Sequence, residues 1–294
     1  MSVRDCVLLG LIVLAWAFNF LTSAIALDHF PPFLFTALRF AVVLAVLFPF
    51  LRAPADGHWG RLILICLCNG ALHFGFNFWA LQLGGISLVA ILMQSYVPMA
   101  TLLAVFLLGE KVGWRTATGV AMSFGGVLLL GFDPAALEVP WAIALSLFAA
   151  LLLATGTVAM RGLRGVHALQ LQAWSAVLGI PVLLAIAVLI EGDLIASIAN
   201  AAAPHWGGVV YSGLIASIVG HGLLYVLVQR HPVSQITPFL LLTPVIAIAL
   251  GLAYRGETPG MLLYFGGAMV LGGVLVVALR LRARARPAPE PMEV

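Results

Sequence analysis

Residues 109–127 read GEKVGWRTATGVAMSFGGV, and residues 256–274 read GETPGMLLYFGGAMVLGGV. One passage stands twice in the chain, 147 residues apart. Gly109-Glu110 answers Gly256-Glu257, Gly119 answers Gly266, Ala121 answers Ala268, and Gly125-Gly126-Val127 answers Gly272-Gly273-Val274, at the same spacings. Upstream, Pro98 stands twelve residues before its Glu and Pro244 thirteen before its own, so a duplication with one inserted residue accounts for the likeness. A repeat of this length implies two units of one design.

Composition decides where those units live. The chain is 63% hydrophobic and 9% charged, against about 25% charged in a soluble domain. Apolar surface in that excess belongs in lipid. The three cysteines, Cys6, Cys66 and Cys68, lie in apolar stretches without the spacing of a metal or redox motif, so packed thiols and no disulfide are expected. Ala24-Ile25-Ala26 resembles a cleavage site, but the apolar run before it is longer than the hydrophobic region of a secretory signal, so it is read as a first helix.

About 20 apolar residues cross a bilayer as a helix. Polar, Pro and Gly breaks cut the chain into ten such spans: 4–27, 32–51, 60–83, 87–109, 113–131, 139–162, 167–190, 205–229, 233–254 and 260–280. Short connections make consecutive helices antiparallel neighbours. The tail after Arg280 is basic and then Pro-rich, and is expected to be disordered. With the N-terminus inside, the inner segments hold Arg4, Arg52, Arg61, Lys111, Arg115, Arg161, Arg164, Arg230, Arg280, Arg282, Arg284 and Arg286, twelve of the fourteen Lys and Arg residues. The outer loops hold Asp28, Asp133, Glu138, Glu191, Asp193 and Glu257, with Arg255. This excess of inner positive charge predicts both termini in the cytoplasm. Trp59, Trp114, Trp141 and Trp206 each begin a span and are expected to anchor at the headgroups.

Five helices per half is an odd number, so the second half must cross upside down relative to the first. Glu110 then falls at the cytoplasmic face and Glu257 at the outer face. The expected fold is an all-α membrane protein of ten transmembrane helices in two inverted five-helix repeats. The first repeat is 1–134, the second 135–280, and 281–294 a cytoplasmic tail. Inverted repeats recur in secondary transporters, whose two halves exchange conformations.

Arg39-Phe40 in the second helix, the Gly-Glu ending the fourth and the Gly-rich fifth helix resemble the EamA repeat of the drug/metabolite transporter superfamily, in both copies and over residues 4–280. In the second copy, Trp174 stands where Arg39 stands in the first. Within the superfamily the chain is most similar to YddG-type bacterial exporters of aromatic and other amino acids. The resemblance implies a central cavity walled by helices 1–4 and 6–9, with helices 5 and 10 as outer buttresses. Ala121-x-x-x-Gly125 and Ala268-x-x-x-Gly272 give those buttresses the small-residue spacing that packs helices closely in lipid.

Polar groups inside a span are costly and face a partner or a wet cavity. Trp16 and Asn19 on helix 1, and His73, Asn77 and Trp79 on helix 3, form the first candidate group; His73 and Asn77 are one turn apart. Asn19 and Asn77 offer donors and an acceptor to a zwitterion, or else bond helices to one another. Gln94 and Tyr96 join from helix 4, Trp174 from helix 7, and His221 and Tyr225 from helix 8. Pro98 and Pro244 each free a carbonyl four residues earlier, at Gln94 and Leu240, and are candidate gating hinges or static kinks. Trp79 and its repeat mate Tyr225 fall near opposite ends of the membrane, as outer and inner gates, as a stack for an aromatic substrate, or as lipid-facing rings. Arg39, in the outer half of its span, is expected to snorkel or meet a carbonyl, in a structural hydrogen-bonding role ahead of binding a substrate carboxylate. Glu110 and Glu257 are expected to favour the start of the helix that follows each.

No Asp or Glu lies mid-membrane, where proton relays and cation-drug carriers need one. His73 and His221 are too few for a relay, and further zinc ligands are lacking. Neither Gly-x-Ser-x-Gly nor His-Glu-x-x-His occurs, so an intramembrane enzyme is the minor alternative. The expectation is a multipass protein of the bacterial inner membrane, a monomer favoured but its oligomeric state left open, without cofactor, metal or nucleic-acid partner. It exports small neutral or zwitterionic metabolites, amino acids foremost and aromatic ones included, by facilitative alternating access. The runner-up is a proton-coupled exporter of a nucleotide sugar, drug or lipid.

Overall fold

The structure, a computed structural model, describes residues 2–53, 58–161, 163, 166–231 and 233–284, and among these there is no β-strand. The long helical segments are α1 (Val3–Leu27), α2 (Pro32–Leu47, closed by a 3-10 turn Phe48–Phe50), α3 (59–84), α4 (86–108), α5 (Trp114–Leu130), α6 (Pro140–Met160), α7 (Ala168–Ile190), α8 (203–230), α9 (233–255) and α10 (Met261–Arg284). Eight segments among the described residues are long and apolar enough to cross a membrane. The longest of them, Trp59–Leu108, runs 50 residues. That is more than twice one crossing, and it is broken at Gly85, whose φ of 75° lies where only glycine sits without strain. Helix α5 is 17 residues long. Helix α10 continues through Arg284 instead of ending at 280; the rest of the expected tail, like Arg164, lies outside the described residues.

Irregularities recur at matching places in the two halves. A π-helical stretch interrupts α3 at Cys66–Leu72 and α8 at Tyr211–Gly220. A 3-10 turn at Met93–Ser95 precedes Pro98 in α4, and a break at Leu241 precedes Pro244 in α9. The two Gly-Glu turns are alike as well. Gly109 and Gly256 close their helices at φ 65° and 63°, and Glu110 and Glu257 each donate a backbone N–H to the carbonyl six residues back at 3.3 Å.

Packing follows the same pairing. Helix α2 lies on α7, α1 on α8 and α9, α6 on α3 and α4, and α5 on α10. A Phe-rich core of Phe30, Phe33, Phe35, Phe40 and Phe78 fills the space between α2, α3 and their neighbours. The α5–α10 seam is antiparallel and almost backbone on backbone. A Cβ on Gly119 would stand 2.8 Å from the Gly273 carbonyl oxygen, and one on Gly126 would stand 2.5 Å from that of Gly266. Between them the Ser123 hydroxyl donates to the Val270 carbonyl at 3.1 Å. Each residue of the repeat thus meets the mate of another. The stripe is 119/123/126 against 266/270/273, not the Ala121/Gly125 and Ala268/Gly272 spacing that the sequence advertised. Ala121 and Ala268 are exposed, and a Cβ on Gly125 would meet only the tip of Met269. Trp206 also departs from expectation, because it packs edge-on against Phe30 (5.2 Å) in the core, whereas Trp114 and Trp141 are exposed.

Gly126→Val drives a branched side chain into the Gly266 carbonyl and the Val270 backbone, and overpacking of this kind costs about 1–3 kcal/mol or more. Thermal unfolding in detergent should show a clear loss of stability for Gly126→Val and none for Ala121→Val.

Candidate transport site

Acidic and basic residues mark the two ends of the bundle. Asp28, Asp133, Glu191 and Glu257 lie at the acidic end; Arg52, Arg61, Arg115 and Arg161 lie at the basic end. Midway between them, α1, α2, α3, α6 and α8 bring polar side chains into contact. Carbonyls of the π stretch of α8 have side chains as partners. Trp16 Nε1 donates to Ala216 O at 3.1 Å, and His221 Nδ1 lies 3.2 and 3.1 Å from Ala216 O and Ser217 O. The Trp16 and His221 rings are 5.1 Å apart. His73 Nδ1 lies 3.0 Å from Ala149 O on α6. A carbonyl only accepts, so both histidines carry a proton on Nδ1.

Arg39 sits among them and is 1% exposed. Its Nη2 donates to Ser217 Oγ at 2.5 Å, and its guanidinium carbon lies 3.9 Å from the centre of the Phe74 ring. Ser217 in turn donates to Ser212 O at 2.7 Å, a five-residue step that the π turn makes possible. Arg39 therefore meets a hydroxyl and an aromatic face, where the sequence suggested a carbonyl or snorkelling. Its Nε and Nη1, and the Oδ1 of buried Asn77, have no hydrogen-bond partner in the protein. These groups have capacity left for a ligand, as do Asn69 Oδ1 and the hydroxyls of Ser95, Ser146, Ser212 and Thr243 elsewhere among the buried side chains.

Of the residues singled out in the sequence, Trp16, His73 and His221 meet in this cluster, and buried Asn77 stands four residues after His73 on the same helix. Asn19, half-buried on α1, accepts from Ser23 Oγ at 3.4 Å. Gln94 and Tyr96 flank the bend before Pro98 and are half-buried. Trp79 lies toward the acidic end, edge-on to Phe33 (5.9 Å), and lines a cavity of about 260 Å³ with Asp28, His29, Gln82 and Glu191. Tyr225 lies toward the basic end, its hydroxyl 2.8 Å from His167 Nδ1. Trp174 is nearer still to that end: Nε1 donates to Arg52 O at 2.9 Å and the ring stands edge-on to Trp59. It does not join the cluster around Arg39. Ser212 and Ser217 were missed, because a lone Ser in an apolar span looks like packing; the π turn that gives them work is not written in the sequence.

The carboxylates also act differently from expectation. Glu257 does not serve the helix that follows it. It reaches across to α4, accepting from Ile86 N at 2.5 Å, Ser87 N at 2.9 Å and Ser87 Oγ at 2.5 Å. Glu191, at the end of α7, does the same for α2, accepting from Phe33 N at 2.6 Å and Leu34 N at 2.9 Å. Burial outweighs those two bonds and holds the Glu191 carboxyl above the usual carboxylate range. Glu110 pairs with Arg161 at the exposed basic end. Asp28 and Arg255 form a bidentate pair at 2.6 and 2.7 Å across the acidic end.

A helical bundle with a polar cluster sunk between its halves is the build of a membrane carrier. The chain belongs to the EamA-like transporter family, whose sequence pattern matches residues 5–132 and again residues 140–279. It is 25% identical over 286 residues, 94% of this chain and 95% of the other, to a probable amino-acid metabolite efflux pump of Escherichia coli K12. A protein of the same description from Salmonella typhimurium is 26% identical over 294 residues, with the same coverage. An uncharacterized transporter of Synechocystis is 25% identical over 76% of this chain and 72% of its own length. A crystal structure at 21% identity superimposes over 97% of this chain and 100% of its own with a TM-score of 0.64, a likeness of fold.

Ser217→Ala strips Arg39 of its hydroxyl acceptor, and an orphaned buried donor costs about 1–3 kcal/mol. Unfolding in detergent should show that loss, and Arg39→Met combined with Ser217→Ala should cost less than the two single changes added together.

Proposed function

We propose that the protein is a multipass carrier of the bacterial cytoplasmic membrane that exports small zwitterionic metabolites, amino acids foremost and aromatic ones included, by alternating access. The carrying observation is the family pattern matched in each half, together with relatives described as amino-acid metabolite efflux pumps that align with 94% of this chain. The chain crosses the membrane ten times, the segment 59–108 crossing twice about Gly85, in two inverted repeats of five helices. The basic end and both termini face the cytoplasm, a reading supported by the concentration of Lys and Arg at that end.

Substrate sits at the mid-membrane cluster, between the halves, where carriers of this plan hold it. Asn77 Oδ1 accepts from the ammonium group, the spare donors of Arg39 serve the carboxylate, and Trp16 and Phe74 offer apolar or aromatic walls to the side chain. The bends before Pro98 and Pro244 let α4 and α9 flex as the halves rock. Transport runs down the substrate gradient, since no carboxylate lies mid-span to carry a proton through.

The test is uptake of radiolabelled amino acids by liposomes holding the purified protein, with and without an imposed proton gradient. Saturable uptake without the gradient is expected, and Asn77→Ala should cut its initial rate several-fold at unchanged protein yield. Uptake that needs the gradient would replace the facilitative reading with a proton-coupled one. No uptake of any amino acid by folded protein would move the substrate to another metabolite class.

A further inference from the structure

Arg39 brings a full positive charge to the middle of the bundle, and no described carboxylate answers it there. Every described Asp and Glu lies in the first turn of a helix or in a connection, as Asp5, Asp28, Glu191 and Glu257 do. Asp56, Glu290 and Glu293 lie outside the described residues. The carboxylates at the helix ends are engaged locally: Asp28 holds Arg255, Glu191 the start of α2 and Glu257 the start of α4. What surrounds the guanidinium is neutral. The rings of Phe40, Phe74 and Phe78 stand 5.5, 3.9 and 5.4 Å from its carbon; their faces attract a cation without supplying a negative charge. Nη2 has the Ser217 hydroxyl, while Nε and Nη1 have no partner on a side chain that is 1% exposed.

The acceptors near Arg39 are neutral too. Asn77 stands between Phe74 and Phe78 in α3, and its buried Oδ1 has no partner. His73 and His221 each place Nδ1 against a backbone carbonyl, so the neutral ring of each keeps Nε2 as an acceptor. A buried charge without a counter-charge is costly. A ligand with one net negative charge brings this cluster to neutrality. A free amino acid does not: its carboxylate answers Arg39, but its ammonium arrives as a second cation with only neutral acceptors to meet it. An N-acyl amino acid or a 2-hydroxy acid keeps the carboxylate and replaces the ammonium by an uncharged N–H or O–H. Asn77 Oδ1 or an imidazole Nε2 can accept either one.

We propose that the mid-membrane site prefers organic monoanions, namely amino-acid derivatives with a free carboxylate and an uncharged hydrogen-bond donor at the α position. N-acyl amino acids and 2-hydroxy acids are the two classes that fit. Arg39 takes the carboxylate, and Asn77 or a histidine Nε2 takes the α donor. This rests on the carrier reading above and on its placing of substrate at this cluster. It keeps that site and ranks the free amino acid second, as a ligand that makes the same hydrogen bonds but leaves one positive charge unanswered. A cation with no carboxylate is excluded, because it would stand beside Arg39 with nothing to offset either charge.

The test uses the full-length protein in liposomes at neutral pH and four compounds with one side chain and different head groups: L-phenylalanine, N-acetyl-L-phenylalanine, 3-phenyllactate and L-phenylalaninamide. Uptake of labelled phenylalanine and of labelled N-acetylphenylalanine is measured, each with the other compounds competing. The two monoanions should show apparent affinities about tenfold or more above that of phenylalanine, and the amide should not compete. Phenylalanine taken up as tightly as N-acetylphenylalanine, or more so, would overturn the monoanion preference and leave the amino-acid carrier standing. Uptake of neither by folded protein would move the substrate to another class and overturn this inference with the reading beneath it. An amide that competes as well as phenylalanine would remove Arg39 from carboxylate binding. Asn77→Asp supplies the missing negative charge on a side chain of the same length. It should reverse the order, strengthening phenylalanine and weakening N-acetylphenylalanine, a gain that loss of folding cannot produce. The parent order persisting in the folded variant would count against the proposal.

Discussion

A helix that begins at a membrane border leaves backbone N–H groups with no acceptor, and lipid supplies none. This chain meets that constraint by lending carboxylates from one half to helix starts in the other. Glu191 at the end of α7 serves Phe33 and Leu34 of α2, and Glu257 serves Ile86 and Ser87 of α4. One set of contacts thus terminates helices and joins halves. Arg255 with Asp28 adds a charged tie at the same end.

The interior depends on a second device. The π stretch of α8 gathers several polar groups at one place. Ala216, Ser217 and Ser212 on α8 offer carbonyls to Trp16, His221 and the Ser217 hydroxyl, and that hydroxyl then accepts from Arg39. A charge that would be costly alone is held by a hydroxyl and the Phe74 ring. Outside this cluster the close α5–α10 seam, with glycine against glycine backbone, keeps the scaffold tight.

Most helix boundaries, the break near Gly85 and the likeness of the two halves were legible in the sequence, because Gly, Pro and charge punctuate an apolar chain; the end of α10 was not, since its basic last turn reads as tail. Which face of each helix points inward was not. These spans are apolar all round, so no stripe marks the buried side, and the Ala121/Gly125 face was taken for the seam when Gly119, Ser123 and Gly126 form it. Trp174 was placed in the site by alignment with Arg39, yet its Nε1 donates to the Arg52 carbonyl at the basic end. The partner of Glu257 was beyond reading for another reason: Ser87 lies 170 residues away, and only the tertiary fold brings them together.

The central claim is that two copies of one passage lie on opposite faces of the membrane. Lys111 and Thr258 are mates in that repeat, and both are exposed. The most direct measurement is labelling of Lys111→Cys and Thr258→Cys, each in a cysteine-free background, with a membrane-impermeant maleimide applied to intact cells. The account predicts labelling of Thr258→Cys from outside and of Lys111→Cys only after the membrane is opened. Labelling of both from the same side would contradict it.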